Sequence, residues 1–245
     1  MNKTAIIIPS RMSASRLAGK PLLKINNLPI ICHVVNKARE ANIGEVYVAT
    51  EDQEIVEVVK ENGGNAVLTG KHATGSDRIF EAYKKLNLTG IDYLINLQGD
   101  EPMINPEDII NLNNKIIENN INIGTLGTDF KNDSILENEN IVKVVTEKKL
   151  DTNNFAKAKN FFRKSSNKNN LNVYHHIGVY AYNVLTLEKF ISLQQTKNEI
   201  QKRLEQLRAL DNNIEIMVVL AKSSPIGVDT KEDFLAIKKI MEYKS

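Results

Sequence analysis

The stretch Ala5-Ile6-Ile7-Ile8-Pro9-Ser10-Arg11-Met12-Ser13-Ala14-Ser15-Arg16-Leu17-Ala18-Gly19-Lys20-Pro21-Leu22 joins an apolar run, Ala5 to Ile8, to one short loop carrying three cations. Four apolar residues bounded by proline read as a buried strand. A loop leaving the carboxyl end of such a strand stands where α/β sheets bind ligands, and arginine forks match phosphate oxygens. Small Ser and Ala residues separate Arg11, Arg16 and Lys20, leaving room for a ligand, and Gly19 permits close approach just before Lys20. The same cations could be solvated charge on any exposed loop, so the surroundings have to decide. Pro21 follows Lys20 where a Walker loop needs Ser or Thr, and no G-x-G-x-x-G follows Ile8, which argues against a P-loop kinase or a dinucleotide dehydrogenase.

Outward from that loop, β-rich apolar runs alternate with helical patterns. Strands are expected at Ala5 to Ile8, Val46 to Ala49, Ala66 to Leu68 and Tyr93 to Leu97. Helices are expected over Ile30 to Ala41, over Gln53 to Asn62 with Asp52 as cap and Gly63-Gly64 as stop, from a Ser76 cap to Leu86, and from Pro106 toward Asn119. This alternation predicts an α/β fold of right-handed crossover units, a mostly parallel central sheet with flanking helices. After about Asn120 the pattern loosens into strand-like Val142 to Thr146, a Lys- and Asn-rich stretch from Lys157 to Asn172, strand-like Ile177 to Tyr182, and two helices ending near Leu210. A strand at Ile214 to Ala221 and a helix from Thr230, with Phe234, Ile237 and Met241 at helical spacing, close the chain. The expectation is a single domain over 1–245 with a smaller α+β lobe at about 120–210, and a mobile loop at Asn167 to Asn172.

With 245 residues, 42% hydrophobic and 25% charged, the chain can bury a full core. A net charge of +2 is too balanced for an electrostatic nucleic-acid binder, so nucleic acid is not an expected partner. The single cysteine, Cys32, cannot form an intramolecular disulfide and suits a reducing cytoplasm. No apolar run approaches the ~18 residues of a membrane span, and the N-terminus lacks a signal-peptide pattern, so a cytoplasmic protein without a membrane partner is expected.

Asn96-Leu97-Gln98-Gly99-Asp100-Glu101-Pro102 ends the fourth strand on the same sheet edge as the basic loop. Asp100 is the first metal candidate, since Mg²⁺ takes one or two carboxylates together with substrate phosphates and water. Asp229, in Gly227-Val228-Asp229-Thr230, could supply the second carboxylate, or could instead cap the final helix. Thr74-Gly75-Ser76-Asp77-Arg78 opens a helix whose free N–H groups favour an anion or a polar base edge, though a helix capped by Ser76 and exposing Arg78 accounts for the same residues.

Taken together these motifs resemble the cytidylyltransferases that make CMP-linked acid sugars, most closely the 3-deoxy-manno-octulosonate (Kdo) cytidylyltransferase family, with its nucleotide-diphospho-sugar transferase-like fold. The resemblance rests on the Arg11, Arg16 and Lys20 loop, Gln98-Gly99-Asp100-Glu101-Pro102, His176-Ile177-Gly178-Val179-Tyr180, Leu204-Glu205-Gln206-Leu207-Arg208 and Gly227-Val228-Asp229-Thr230. It implies CTP contacts from Arg11, Arg16, Lys20, Ser76, Arg78 and Gln98, with Lys20, Arg11 and Asp100 as catalytic residues and Asp100 and Asp229 holding Mg²⁺. Gln98, His176, Tyr180, Glu205 and Gln206 would face the sugar. It implies further a homodimer formed through the smaller lobe and a product used in lipopolysaccharide assembly. The chain departs from the family at Asn160-Phe161-Phe162-Arg163, His175, Asn183 and Lys202, all on the sugar side. A synthetase for a sialic-type acid and a noncatalytic CTP-binding regulator are the alternative readings.

Overall fold

The computed structural model describes residues 3–13, 16–130, 134–164 and 172–243, with backbone alone at 134–135. Most of the stretch expected to be mobile therefore lies outside the described residues. The chain forms two compact units, Met1–Ile110 with Pro225–Ser245, and Asn111–Ser224.

The first unit is built on β1 (Thr4–Ser10), whose Ala5, Ile6, Ile7 and Ile8 are wholly buried. A 3-10 turn (Lys20–Leu22), a small hairpin of β2 (Lys24–Ile25) and β3 (Leu28–Pro29), and α1 (Ile30–Glu40) follow. Then come β4 (Val46–Thr50), α2 (Gln53–Glu61), β5 (Asn65–Leu68), α3 (Gly75–Lys85), β6 (Tyr93–Asn96) and the start of α4 (Pro106–Glu118), which passes into the second unit after Ile110. The strands of this unit lie in the order β5-β4-β1-β6 and are all parallel, with Ile6 facing Val46 on one side and Ile95 on the other. The chain thus winds outward from β1 through β4 to β5 and then returns to place β6 on the far side of β1. That reversal opens a crevice at the carboxyl ends of β1 and β6, the place where such sheets bind ligands.

Helical periodicity explains the covering layer: α1 buries Ile30, Ile31, Val34, Val35 and Ala38, and α2 buries Ile55, Val56 and Val59. Cys32 is buried in α1, and burial pushes its thiol up to about 11, leaving it inert. Two caps differ from the sequence expectation. Asp52 stands at the start of α2, but its Oδ2 accepts from the Met12 N–H at 2.7 Å and so anchors the basic loop. Thr74, rather than Ser76, caps α3 by accepting from the Asp77 N–H, while Ser76 is buried in the first turn.

The second unit holds β7 (Ile123–Thr128), α5 (Ser134–Glu137), β8 (Lys143–Thr146), β9 (Ala156–Phe162), β10 (Val173–Asn183), α6 (Val184–Ser192), α7 (Lys197–Lys202), α8 (Leu207–Asp211) and β11 (Met217–Leu220). Pairing runs β10-β7-β11-β9-β8 and returns from β8 to β10, with β7 and β11 parallel and the other pairs antiparallel. Asn183 caps α6 by accepting from the Leu185 and Thr186 N–H groups. Arg208 and Glu199 form a buried two-pronged ion pair, 2.9 Å and 2.6 Å, that ties α8 to α7 across the Glu205-Gln206 corner. The guanidinium also lies 4.9 Å from the centre of the Phe190 ring.

The chain then re-enters the first unit and ends in α9 (Lys231–Tyr243), whose Ile237 packs with Ile25, Ile30 and Val228. Leu17, Leu23, Met103, Phe234 and Met241 border this cluster, which fastens the basic loop beside the turn that carries Asp229. Among the described residues, no helix is long and apolar enough to cross a membrane.

Breaking the buried pair from one side leaves an uncompensated charge. Arg208→Met is expected to cost about 3–5 kcal/mol in urea unfolding, and Glu199→Leu with Arg208→Met should recover most of that loss. Equal losses in the single and double variants would show that the pair does not carry the corner.

Candidate active site

A cleft of about 280 Å³ opens at the carboxyl ends of β1 and β6. Ser10 and Arg11 leave β1 into it, Arg16 and Lys20 border it from the basic loop, and Gln98, Gly99 and Asp100 enter from β6. Gly19 has φ 70°, the left-handed backbone that lets the loop turn directly into Lys20. The loops meet closely at Gly99, where a Cβ would stand 3.0 Å from the Pro9 carbonyl oxygen and 3.2 Å from Ile31 Cδ1, tighter than ordinary contact.

The acidic side is drawn together by cations. Lys20 Nζ lies 2.5 Å from Asp100 Oδ2, 3.3 Å from Asp229 Oδ1 and 2.9 Å from the Val228 carbonyl oxygen. Arg16 Nη2 pairs with Asp229 Oδ2 at 2.9 Å. Asp229 does not cap α9. Thr230 accepts from the Asp233 N–H, and Asp233 accepts from the Asp229 and Thr230 N–H groups, which leaves the Asp229 carboxylate facing the cleft. Between Asp100 and Asp229 the third carboxyl, Glu101, has Oε2 buried without a hydrogen-bond partner among the described residues. Burial first, then Asp100 and Asp229, push it up to about 8, so it is neutral at pH 7 and adds no third negative charge.

Among the described residues no group of three or more His, Cys, Asp or Glu gathers as a metal site. The donors present are two carboxylates and a carbonyl around one cationic position. That set fits Mg²⁺, which draws its remaining oxygens from phosphate and water, and does not resemble a thiolate or imidazole site.

The third wall comes from the start of α3. Thr74 and Gly75 line the cleft with the helix's amino end. Ser76 does not line it. Arg78 does, but its fork also holds the wall in place, donating to Thr69 Oγ1 at 2.8 Å, the Gly70 carbonyl and Glu51 Oε2 at 3.0 Å. His72 also borders the cleft, with Nε2 against the Glu81 carboxylate. Burial alone would raise the Glu81 carboxyl, but hydrogen bonds from Lys85, His72 and the Gly70 N–H outweigh it and pull it down to about 2. Sequence reasoning missed His72 because a histidine in a loop before a helix carries no spacing signal.

The expected sugar-facing residues divide between the units. Gln98 lines the first unit's cleft, whereas His176, Tyr180, Glu205 and Gln206 lie in the second unit. His176 and Tyr180 are buried neighbours on β10, with ring centres 5.4 Å apart and Phe161 edge-on to His176 at 5.1 Å. The β10–β7 register shifts between Ile177 and Tyr180. In that irregularity Thr125 Oγ1 donates to the Val179 carbonyl at 2.7 Å and lies 3.0 Å from His176 Nε2. With its own proton so used, the hydroxyl accepts from Nε2–H, which assigns that tautomer. Burial and then His175 push His176 down to about 3. The Tyr180 hydroxyl has no hydrogen-bond partner among the described residues, and burial, Tyr182 and Glu205 raise its pKa well above the usual value. Gln206 stands at the start of α8 and its side chain makes no capping bond there.

A model of the cytidylyltransferase family matches residues 5–216. The chain therefore belongs to the cytidylyltransferase family and is a nucleotidyltransferase. It is 43% identical over 241 residues to the 3-deoxy-manno-octulosonate cytidylyltransferase of Afipia carboxidovorans, covering 97% of this chain and 96% of that one. It is 41% identical to the protein of the same name from Thermodesulfovibrio yellowstonii, covering 97% and 98%. At this likeness over nearly full length, the chain stands among the 3-deoxy-manno-octulosonate cytidylyltransferases. A solved CMP:2-keto-3-deoxy-manno-octonic acid synthetase complexed with CTP superposes with a TM-score of 0.89 at 32% identity, covering all of both chains. A UDP-glucose pyrophosphorylase, at 14% identity and a TM-score of 0.72, shares the fold.

A neutral buried His176 has a measurable consequence. Its imidazole carbon-bound protons, followed by NMR on histidine-labelled protein, should not titrate between pH 8 and pH 5. The unfolded chain takes up this proton near pH 6.5 and the folded one only near pH 3, so the group costs stability as pH falls through that window. An ordinary titration midpoint near 6.5 would contradict the assignment.

Proposed function

We propose that the chain transfers the cytidylyl group of CTP to Kdo, giving CMP-Kdo and pyrophosphate, and so supplies lipopolysaccharide assembly. One observation carries this reading: Arg11, Arg16 and Lys20 converge with Asp100 and Asp229 on a single cleft at the sheet's reversal point. The names of the full-length relatives and of the structural neighbour with CTP support the choice of both substrates.

Kdo's anomeric hydroxyl attacks the α-phosphorus of CTP in line, and the bond to the pyrophosphate oxygen breaks. No covalent enzyme intermediate is required. Negative charge gathers on the phosphoryl oxygens and the leaving group, where Arg11, Arg16 and Lys20 supply positive charge around the cleft. Bound by Asp100 and Asp229, Mg²⁺ would neutralise phosphate charge and acidify the attacking hydroxyl. Thr74 and Gly75 offer backbone N–H groups at the amino end of α3, and Gln98 adds a polar contact beside Asp100. His176, Tyr180, Glu205 and Gln206 hold the sugar acid, with the Tyr180 hydroxyl ready to donate. The working form in this reading is a cytoplasmic homodimer, checked by light scattering of the purified protein.

Asp100→Asn is expected to abolish pyrophosphate release with the circular dichroism spectrum unchanged; wild-type turnover would remove Asp100 from the chemistry. Arg11→Ala loses a charge-assisted contact of roughly 1.5–3 kcal/mol, so kcat/KM for CTP should fall about 10- to 150-fold. Pyrophosphate release measured across CTP, UTP and ATP, each with Kdo or N-acetylneuraminate, separates the readings. Release with CTP and Kdo alone supports the proposal, release with N-acetylneuraminate identifies a sialate-type enzyme, and CTP binding without release identifies a regulator.

A further inference from the structure

The Lys20 ammonium occupies the oxygens that a metal on the acidic pair would need: Asp100 Oδ2, Asp229 Oδ1 and the Val228 carbonyl, all within 3.3 Å of Nζ. A divalent cation that touched both carboxylates through those oxygens would have to stand where Nζ now lies, and two positive centres cannot occupy one position. Metal entry therefore requires Lys20 to leave. The side chain is only 15% exposed where it lies, so leaving it unpaired beside the cleft would be costly. A triphosphate in the cleft offers an alternative set of anionic oxygens within reach of the same flexible stem, and needs no movement of the turn that carries it.

We propose that Lys20 is the resident counter-ion of the Asp100–Asp229 pair and releases it to a divalent ion when a triphosphate draws the ammonium away. This rests on the reading of that pair as the metal site. Nucleotide and metal then bind synergistically, each tightening the other by the same factor. Lys20 thus acts in two successive pairings, first keeping the two carboxylates together against their mutual repulsion and then holding phosphate. Arg16 remains on the second oxygen of Asp229 throughout, since that oxygen is not one that Lys20 vacates.

The test uses Mn²⁺ alone as the probe, with free ion counted by electron paramagnetic resonance against the full chain without nucleotide. Wild type is compared with Lys20→Met and Arg11→Met. Each variant removes one positive charge from the same cleft, but among the described residues Arg11 makes no ion pair with either carboxylate. Lys20→Met should bind Mn²⁺ about tenfold tighter than wild type, and Arg11→Met should show much less gain. Lys20→Gln, checked for folding by thermal melting, repeats the measurement in a second side chain. No gain on removing Lys20, or equal gains in the Lys20 and Arg11 variants, would overturn the counter-ion role. In that case Mn²⁺ binding that is still lost in Asp100→Asn leaves the metal pair standing. Absence of Mn²⁺ binding in every form, with and without CTP, would overturn the metal reading and the counter-ion role together.

Discussion

Two carboxylates far apart in the chain face each other across a few ångströms because one ammonium stands between them. Asp100 follows β6, Asp229 precedes α9, and Lys20 comes from the loop after β1, so the contact ties three remote segments at the mouth of the crevice. Without it the acidic pair would repel, and the turn at Val228 would be tied to the basic loop by the Arg16–Asp229 pair and to the Asp100 turn by its own N–H on the Asp100 carbonyl. Below it, the apolar cluster of Ile25, Ile30, Val228 and Ile237 holds the same segments by burial. Charge sets the geometry at the surface, and packing keeps it in place beneath.

Around this contact the molecule controls how much charge it exposes. Glu101 is held neutral where a third carboxylate would compete for the same cations, and Glu81 is held ionised where it fixes the cleft wall. The two groups differ in what compensates burial. Glu81 accepts from the Gly70 N–H and pairs with Lys85, whereas among the described residues the buried oxygen of Glu101 meets no donor. A preorganised polar site needs such sorting, since a misplaced charge in a sheltered cleft costs more than a contact returns.

The parallel half was legible because its signals are local. Buried runs such as Ala5 to Ile8 and amphipathic α1 and α2 announce themselves by period, and the winding of crossover units then brings the loops after β1 and β6 to one edge. The second unit was harder to read. β7 is Ile123-Gly124-Thr125-Leu126-Gly127-Thr128, buried on both faces, and its glycines and threonines hide the strand pattern. β9 runs through a Lys- and Asn-rich stretch whose composition suggests a loop. The choice between cap and ligand at Asp229 was likewise beyond the sequence, since Asp229, Thr230 and Asp233 can all cap; only the backbone decides that Thr230 and Asp233 share the task. Ser76 was misread, and Asp52 holds the N-cap position of α2 but turns its side chain to Met12, because a residue type suited to capping does not say which N–H group it will meet.

The hydroxyl of Thr125 has one further consequence. By fixing the hydrogen on Nε2 of His176, it leaves the other ring nitrogen as a lone-pair acceptor, and desolvation keeps the ring from becoming a cation. Such a ring selects a partner that brings its own hydrogen, an alcohol in preference to a carboxylate. An acid sugar presented to this strand would be read there by its hydroxyl pattern, and its acidic end would have to find positive charge elsewhere.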